Sequence, residues 1–300
     1  MRKCVKCGKK AQVYLPQYRL SLCAEHYLEW YENRVERTIR EFNMIKKEDR
    51  VLVAVSGGKD SLSLWQALNK LGYSADGLYI NLGIGESSQK SQKACEEFVK
   101  RWNRELHVVD LRSEILPIPQ LKEIDPRPAC SVCGTVKRYY MNKVAREKGY
   151  NVLATGHNLD DESAVLFSNT LSWNIEYLRR QYPVLPEGDG FVKKVKPLCK
   201  LSEKENALYA FLSGIDFVEE ECPFAEGSTS IDYKLYLSAL EERMPGTKLR
   251  FYSEFLRKMH PILKESEEKP TLQKCKICQE PSSSEICAVC RLKEKVYIQR

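Results

Sequence analysis

Short apolar runs alternate along this chain with segments whose apolar residues recur at helical spacing. The first such run, residues 51–55, is β-branched and predicts a buried parallel strand. Directly after it, Leu64, Leu68 and Leu71 recur at intervals that place them on one face of a helix. The pattern therefore predicts a strand that leads within a few residues into a helix.

The same alternation continues to about residue 260. Further strands are predicted at residues 75–82, 106–111, 151–155 and 191–197. Helices are predicted around residues 31–42, 95–102, 130–148, 202–213, 233–243 and 249–260, whereas four prolines in residues 117–128 predict an irregular loop. Strands that alternate with helices form a parallel sheet covered on both faces, which binds ligands at the carboxyl ends of its strands. The predicted fold class is α/β.

Residues 56–61, Ser-Gly-Gly-Lys-Asp-Ser, connect the first predicted strand to its helix. The two glycines let the backbone turn sharply without a Cβ, so successive N–H groups can converge on an anion at the helix N-terminus. Lys59 and the hydroxyls of Ser56 and Ser61 would complete a phosphate cradle. The spacing differs from the Walker pattern, which indicates another kind of nucleotide loop. A plain turn capped by Asp60 is the alternative.

Charge and composition narrow the class of protein. The 300 residues carry a net charge of +7, and 43% of them are hydrophobic, which is ample for a packed core. No apolar run reaches the ~18 residues of a membrane span and the N-terminus lacks a signal-peptide core, so we expect a cytoplasmic protein. Residues 1–30 and 178–200 each hold six Lys or Arg against two acidic residues. Such basic patches attract nucleic-acid phosphates, although they also occur on ordinary solvated surfaces.

Seven cysteines and one histidine stand in short pairs that have the spacing of tetrahedral zinc ligands. The N-terminal set is Cys4, Cys7, Cys23 and His26, and the C-terminal set is Cys275, Cys278, Cys287 and Cys290. Each lies in a segment too short for a large core, so we expect the metal to fold it. With a polar linker at residues 265–269, the sequence predicts zinc fingers at 1–30 and 265–300 around a catalytic domain at 31–264.

A further pair, Cys130 and Cys133, stands at the start of a predicted helix. If that helix includes residue 130, both cysteines share one face with Lys137. A helix N-terminus and a nearby cation would favour thiolates there. A third zinc site is the alternative, for which only Cys199 and Cys222 remain as unassigned ligands.

The strand predicted at residues 151–155 runs into Gly156-His157-Asn158 and then two adjacent carboxylates, Asp160 and Asp161. Either carboxylate could cap the next helix. Together they could also hold a magnesium ion against a triphosphate, and we favour that role for Asp161. Four apolar residues of this helix and its end are expected to pack in the core: Leu166, Phe167, Leu171 and Trp173.

Residues 56–61 and the segment from Gly156 to Asp161 together resemble the motifs of the PP-loop ATP pyrophosphatases, which cleave ATP between its α- and β-phosphates. With Cys130-x2-Cys133, the later Cys222-Pro223 and a zinc module at each end, the whole chain resembles the two-zinc-finger tRNA 2-thiouridine synthetases. The match extends over residues 4–290. The resemblance implies a Rossmann-like PP-loop core flanked by two zinc fingers.

The resemblance also implies a reaction. The enzyme would transfer AMP from ATP to the C2 carbonyl oxygen of a tRNA uridine, release pyrophosphate and replace the oxygen with sulfur. It implies magnesium and an ATP site formed by Ala54, Ser56, Gly57, Gly58, Lys59, Asp60, Ser61, Gly156 and Asp161. Lys137 and Asp161 match positions expected near the reacting phosphate and nucleotide.

For Cys130, Cys133 and Cys222 the resemblance implies a [4Fe-4S] cluster whose fourth iron is open to sulfide. A persulfide on Cys130 or Cys133, resolved by Cys222, remains an open alternative. The family further implies a ubiquitin-like thiocarboxylated sulfur carrier and a homodimer.

We expect the T-loop uridine at tRNA position 54 as the target, with the wobble uridine as the alternative. Two other classes stay open. Another PP-loop tRNA-modifying ligase or an amidotransferase would keep residues 56–61 but would not need the three cysteines. A non-enzymatic zinc RNA-binding protein would leave the ATP motifs without a purpose.

Overall fold

The computed structural model describes residues 2–219, 222–224, 229–264 and 272–298. The strands are β1 (Val13–Leu15), β2 (Leu20–Leu22), β3 (Arg50–Val55), β4 (Ser74–Asn81), β5 (Leu106–Asp110), β6 (Val152–Thr155), β7 (Val184–Leu185), β8 (Lys193–Val195), β9 (Gln273–Lys274) and β10 (Pro281–Ser282). The helices are α1 (Ala24–Glu41), α2 (Lys59–Lys70), α3 (Gly85–Val99), α4 (Leu111–Glu114), α5 (Ile118–Ile124), α6 (Ala129–Glu147), α7 (Leu159–Leu171), α8 (Ile175–Arg180), α9 (Glu203–Leu212), α10 (Thr229–Arg243), α11 (Thr247–Glu254), α12 (His260–Lys264) and α13 (Ala288–Ile298). None of the helices in these ranges is long and apolar enough to cross a bilayer.

The central sheet has six strands in the order β5-β4-β3-β6-β8-β7. All neighbouring pairs are parallel except β7 with β8, which is antiparallel. Chain order proceeds outward from β3 through β4 to β5 on one side, and from β6 to β8 on the other. The order therefore reverses between β3 and β6, and such a switch point is where α/β sheets bind ligands.

The two faces of the sheet form two separate cores. Val51, Val53 and Val55 point to one face and pack with side chains of α1, α2, α7 and α9. Leu52 points to the opposite face, where it packs with α5, α6 and α13. This alternation follows from the two-residue period of a strand, and the apolar runs are continuous because both faces are covered. The predicted α/β core with helices on both faces is confirmed.

The two cysteine-rich ends join opposite cores. Cys4 and Cys23 belong to the same buried cluster as α1, whose residues Tyr27, Tyr31 and Val35 are fully buried. At the other end, three cysteines and three apolar side chains of α13 belong to the cluster under α6: Cys275, Cys287, Cys290, Val289, Leu292 and Val296. Each end is thus part of the packing of one face of the sheet.

Two expectations from the sequence were wrong in detail. The proline-rich residues 117–128 contain the helix α5, which begins directly after Pro117 because proline is tolerated in the first turn. Leu171 and Trp173 are 58% and 71% exposed, since α7 ends at Leu171 and its last turn leaves the core. The predicted helix over 249–260 is helical throughout and contains a π-helical turn at Phe255–Met259 between α11 and α12. The predicted linker at 265–269 lies outside the described residues.

Candidate active site

The loops that follow β3 and β6 meet at the switch point of the sheet. The phosphate loop, residues 56–61, follows β3, and residues 156–158 follow β6. A Cβ on Gly156 would lie 3.0 Å from the backbone of Ser61, so glycine permits the close approach of the two loops. Asn158 Nδ2 also donates to Asp60 Oδ1 over 3.2 Å. The two predicted nucleotide motifs are therefore parts of one site.

The conformation of the phosphate loop depends on Gly57 and Ser61. Gly57 has a φ of +78°, and a Cβ there would lie 2.7 Å from the carbonyl oxygen of Ser91. The buried Ser61 hydroxyl accepts from the Ser56 N–H at 3.1 Å and donates to the Gly58 carbonyl at 3.0 Å. Ser61 thus holds the loop in shape, whereas Ser56 is exposed.

The phosphate loop ends at the N-terminus of α2. Gly58 is the N-cap residue, and no side chain caps this helix. The first N–H groups of a helix have no intrahelical acceptor and carry the positive end of the helix dipole. The loop therefore presents backbone donors to an anion, as a phosphate-binding turn requires.

Lys59 is held in the site by two carboxylates. Its Nζ lies 2.7 Å from Glu203 Oε1 and 3.4 Å from Asp60 Oδ2. Burial opposes the charged form of Lys59, yet Asp60 and Glu203 hold its pKa above the ordinary value. Burial raises the pKa of Asp60, against the effects of Lys59 and of amide donors from Asn158 and Asn206. The ammonium of Lys59 is thus charged and fixed at the start of α2.

The two carboxylates after β6 have different surroundings. Asp160 is buried and forms an ion pair with the equally buried Lys248 at 2.5 Å, so it has a structural role. Asp161 completes the capping box of α7 with Asn158, and its Oδ1 lies 2.5 Å from Lys234 Nζ. Burial acts to raise the pKa of Asp161, but Lys234 outweighs it and the pKa lies below its usual value. Asp161 is therefore an ionised carboxylate at the site.

A cavity of about 450 Å³ joins the phosphate loop to the cysteine trio, by which we mean Cys130, Cys133 and Cys222. Its wall includes Ala54, Ser56 and Gly58 on one side. On the other side the wall includes all members of the cysteine trio and the residues Gly134, Lys137, Val218 and Phe224. The structure thus brings three cysteines from distant parts of the chain to the ligand-binding edge of the sheet.

Two chain segments supply the cysteine trio. Cys130 and Cys133 lie in the first turns of α6, and Lys137 follows one turn later on the same helix. Cys222 comes from the segment after α9, which is tied back to α6 by a hydrogen bond of 3.3 Å from Cys130 Sγ to the Phe224 carbonyl. The predicted common face of α6 is therefore observed, and it faces the cavity.

The cysteine trio differs from a closed tetrahedral metal site. Among the described residues, the metal-ligand groups whose donor atoms all lie within 4.8 Å of one another are the two predicted zinc sets, and the trio is not among them. Cys199, the other unassigned thiol, is fully buried beside Glu162 and does not line the cavity. Among the described residues, these four thiols therefore do not form a third zinc site. A cluster of several iron atoms is wider than a single ion, and it suits such an open arrangement.

Cys133 departs from the thiolate that its helical position predicts. Burial raises the pKa of the Cys133 thiol, and Lys137 acts in the opposite direction without overcoming it. Desolvation by the apolar wall of the cavity thus exceeds the effect of the nearby ammonium.

The two terminal sets have the geometry of zinc sites. In the N-terminal set, Cys23 Sγ lies 3.2 Å from His26 Nδ1 and 3.8 Å from Cys7 Sγ. In the C-terminal set, Cys278 Sγ lies 3.7 Å from Cys287 Sγ. Four soft donors at such distances surround a point that a tetrahedral ion could occupy. The predicted ligand sets are therefore assembled at both ends.

Sequence reasoning missed two charged members of the site. Glu203, predicted only as part of the helix around 202–213, contacts Lys59, and Lys234 from α10 contacts Asp161. Their partners lie far away along the chain, so no local spacing indicated either contact. His157, which follows Gly156, is exposed, and its Nδ1 lies 2.9 Å from Thr155 Oγ1.

Comparison with known proteins decides the family. A model of the PP-loop domain matches residues 31–222, and a model of the N-terminal LIM domain of the 2-thiouridine synthetase TtuA matches residues 3–28. The chain is 49% identical over 295 residues to a tRNA-5-methyluridine(54) 2-sulfurtransferase of Thermus thermophilus, an alignment that covers 98% of this chain and 92% of the relative. The chain belongs to the PP-loop tRNA 2-thiouridine synthetases.

Other members of this family match over the same length. A tRNA-5-methyluridine(54) 2-sulfurtransferase of Thermotoga maritima is 45% identical over 298 residues, covering 98% of this chain and 97% of the relative. The solved structure of the U34-tRNA thiolase NcsA from Methanococcus maripaludis with its [4Fe-4S] cluster superimposes with a TM-score of 0.82. The two chains are 27% identical, and the superposition covers 98% of this chain and 96% of the NcsA chain. The predicted family and fold are confirmed, and the PP-loop makes this chain an ATP-binding protein.

Proposed function

We propose that this protein is an ATP-dependent tRNA sulfurtransferase, which converts the C2 carbonyl of a uridine to a thiocarbonyl. The observation that carries the proposal is the single cavity that contains both the phosphate loop and the cysteine trio. Activation by ATP occurs at the carbonyl oxygen and sulfur is delivered to the carbon of the same carbonyl group, so both groups of residues have to reach one substrate. A PP-loop enzyme that transfers nitrogen would not need cysteines in this position.

Activation of the uridine uses the residues around the phosphate loop. A C2 carbonyl oxygen is a poor leaving group, so this oxygen attacks the α-phosphorus of ATP and pyrophosphate departs. The uncapped N–H groups of α2 and the ammonium of Lys59 offset negative charge on the phosphates, as preorganised positive groups do in phosphoryl transfer. Asp161 provides ionised carboxylate oxygens of the kind that bind magnesium.

Delivery of sulfur uses the opposite wall of the cavity. The cysteine trio provides three thiol ligands, as a [4Fe-4S] cluster with one open iron requires, and the cluster in the related thiolase NcsA supports this assignment. When bound, such a cluster supplies a site for sulfide, which attacks the activated carbon as AMP leaves. Lys137 lies beside Cys133, where its ammonium offsets the charge of the thiolates and of the departing phosphate.

The target and partners complete the proposal. We assign the T-loop uridine at position 54, because the relatives that are 49% and 45% identical carry that name. The wobble uridine is the alternative target, since NcsA is named for it. We further propose two zinc ions, magnesium, a ubiquitin-like thiocarboxylated sulfur carrier, a homodimer and a cytoplasmic location.

The proposal is tested with anaerobically purified protein, tRNA, ATP and sulfide. We expect pyrophosphate release and 2-thiouridine in equal amounts, about four irons per chain, and the new base in the T-loop when the tRNA is digested. Lys59→Ala should lose both products and keep its iron, whereas Lys258→Ala, which removes a surface ion pair with Glu254, should behave as wild type. Full thiolation by iron-free protein would favour the persulfide mechanism. Absence of thiolation with the cluster in place would refute the proposed function.

A further inference from the structure

Lys234 of α10 occupies a position in the charged network that the reaction scheme leaves unexplained. Its Nζ lies 2.5 Å from Asp161 Oδ1 and 3.8 Å from Glu203 Oε2. Glu203 in turn contacts Lys59, the lysine of the phosphate loop. Two ammonium groups from distant elements therefore share the carboxylate of Glu203, the first residue of α9.

The contact between Lys234 and Asp161 is not needed to hold α10 in place. Tyr233 packs edge-on against Phe167 of α7 at a ring distance of 5.7 Å. Leu237, one turn further along α10, is 4% exposed. These apolar contacts lie on both sides of Lys234 in the sequence, and burial of this kind stabilises a helix more than a partly exposed ion pair does. The side chain of Lys234 is 31% exposed, so the packing that holds α10 does not enclose it.

Binding of magnesium and ATP changes the charges that Lys234 meets. A divalent cation takes carboxylate oxygens such as those of Asp161, and this competes directly with an ammonium for the same atoms. The triphosphate adds several negative charges at the N-terminus of α2, close to Lys59. An ammonium released from Asp161 then finds new acceptor oxygens within the same network.

We propose that Lys234, which pairs with Asp161, is a second phosphate-binding lysine and contacts the β- and γ-phosphates of bound ATP. This inference rests on the ATP site of the proposed function and extends it. It gives Lys234 a part in distinguishing nucleotides. ATP and pyrophosphate offer phosphates for it to bind, whereas AMP has only the phosphate attached to the ribose.

The inference is tested by calorimetric binding of magnesium-ATP, magnesium-pyrophosphate and AMP to the full chain without tRNA. In Lys234→Met we expect about tenfold weaker binding of ATP and of pyrophosphate, because one charge-assisted contact is lost. The binding of AMP should be unchanged. Lys234→Arg should keep most of the affinity, since it retains the cation. Lys258→Met is the matched control, because Lys258 also pairs with a carboxylate, Glu254 at 2.7 Å, but lies away from the site.

Two results would overturn the inference. Equal weakening of ATP and AMP in Lys234→Met would indicate a structural role, and unchanged binding of all three ligands would exclude any role. Lys59→Ala separates this failure from failure of the proposed site. If wild type binds ATP and Lys59→Ala does not, the phosphate loop is established as the ATP site. Unchanged nucleotide binding by Lys234→Met would then contradict only the inference. If Lys59→Ala binds ATP normally, the ATP site itself is wrong, and the inference falls with it.

Discussion

The backbone N–H of Val218 donates to the carbonyl of Gly57 over 3.0 Å, which joins the phosphate loop to the segment that carries Cys222. The same segment accepts a hydrogen bond from Cys130 at the carbonyl of Phe224. One short stretch of chain therefore contacts the nucleotide loop and the helix of the other two cysteines. The shape of the phosphate loop and the position of the third cysteine are structurally linked.

Replacement of Gly57 should disturb this link. In Gly57→Ala the positive φ is strained, and the new methyl group would meet the Ser91 carbonyl at 2.7 Å. We expect a loss of about 2–4 kcal/mol in the free energy of unfolding and a clear loss of ATP affinity, measured by urea unfolding and calorimetry. Gly72→Ala is the control, since Gly72 has φ +77° but no atom within 4 Å of the added group. It should lose only about 1 kcal/mol and bind ATP normally. Equal effects of the two changes would contradict a special role for Gly57.

Removal of Cys222 should remove iron without removing zinc. Cys222→Ala leaves two thiols in the cavity, which is too few for a cluster that needs three, so we expect iron below one atom per chain by elemental analysis. The zinc content should stay as in wild type because both terminal sets are intact. Cys199→Ala is the control, because Cys199 is buried away from the cavity. Iron retained in Cys222→Ala, or lost to the same extent in Cys199→Ala, would contradict our ligand assignment.

Loss of the two zinc sites should have different consequences for the cluster. The C-terminal set packs in the same core as α6, and Cys278 contacts Tyr139 of that helix. The N-terminal set packs in the core on the other face of the sheet. We expect Cys287→Ser to lose zinc and also to lose iron faster on exposure to air, because α6 carries Cys130 and Cys133. Cys23→Ser should lose zinc and keep its iron at the wild-type rate. Identical rates of iron loss in the two variants, followed by the visible absorbance of the cluster, would contradict a specific link between the C-terminal set and the cysteines of α6.

The stability of the protein at alkaline pH should depend on Lys194. Burial, together with the nearby cations Lys196 and Arg138, lowers the pKa of Lys194 from 10.5 to about 8. Between these two values the unfolded chain binds a proton that the folded chain does not, so the free energy of unfolding rises with pH in this window. Below about pH 8 the folded protein bears the full cost of the charge.

Lys194→Met should therefore be more stable than wild type at pH 7. We expect the free energy of unfolding to increase by about 1–2 kcal/mol at pH 7, which is less than the whole pKa shift implies because the side chain of Lys194 is partly exposed. This gain should disappear as the pH approaches the ordinary lysine pKa of 10.5. Urea unfolding from pH 7 to 10 measures this difference. Lys193→Met, which removes a hydrogen bond to the Asn43 carbonyl, is the neighbouring control and should be no more stable at any pH. A gain in Lys194→Met that does not change with pH would indicate improved packing.

Local patterns predicted a large part of the site. Residues 56–61 form the phosphate loop at the start of α2, and Cys130, Cys133 and Lys137 lie together on α6. Such features follow from spacing within one or two turns of backbone, which sequence displays directly. The apolar runs likewise indicated the sheet, because strands buried on both faces read as continuous apolar segments.

Longer-range contacts escaped prediction for a physical reason. Glu203 meets Lys59 and Lys234 meets Asp161 only because the order of the strands brings their elements to one edge of the sheet. The sequence also wrongly predicted an irregular loop after Pro117 and a buried Trp173. The surrounding packing decides both features.

The sequence by itself determined which chemical groups the protein has: a glycine-rich phosphate loop, two sets of four metal ligands and a pair of cysteines at a helix N-terminus. Short-range backbone geometry fixes the arrangement of such groups, so their spacing along the chain is enough to recognise them. Only the tertiary structure decided that Cys222 joins Cys130 and Cys133 in one cavity with the phosphate loop, and that Cys199 does not. That choice depends on how two faces of a sheet are packed, and packing joins residues that no spacing along the chain relates.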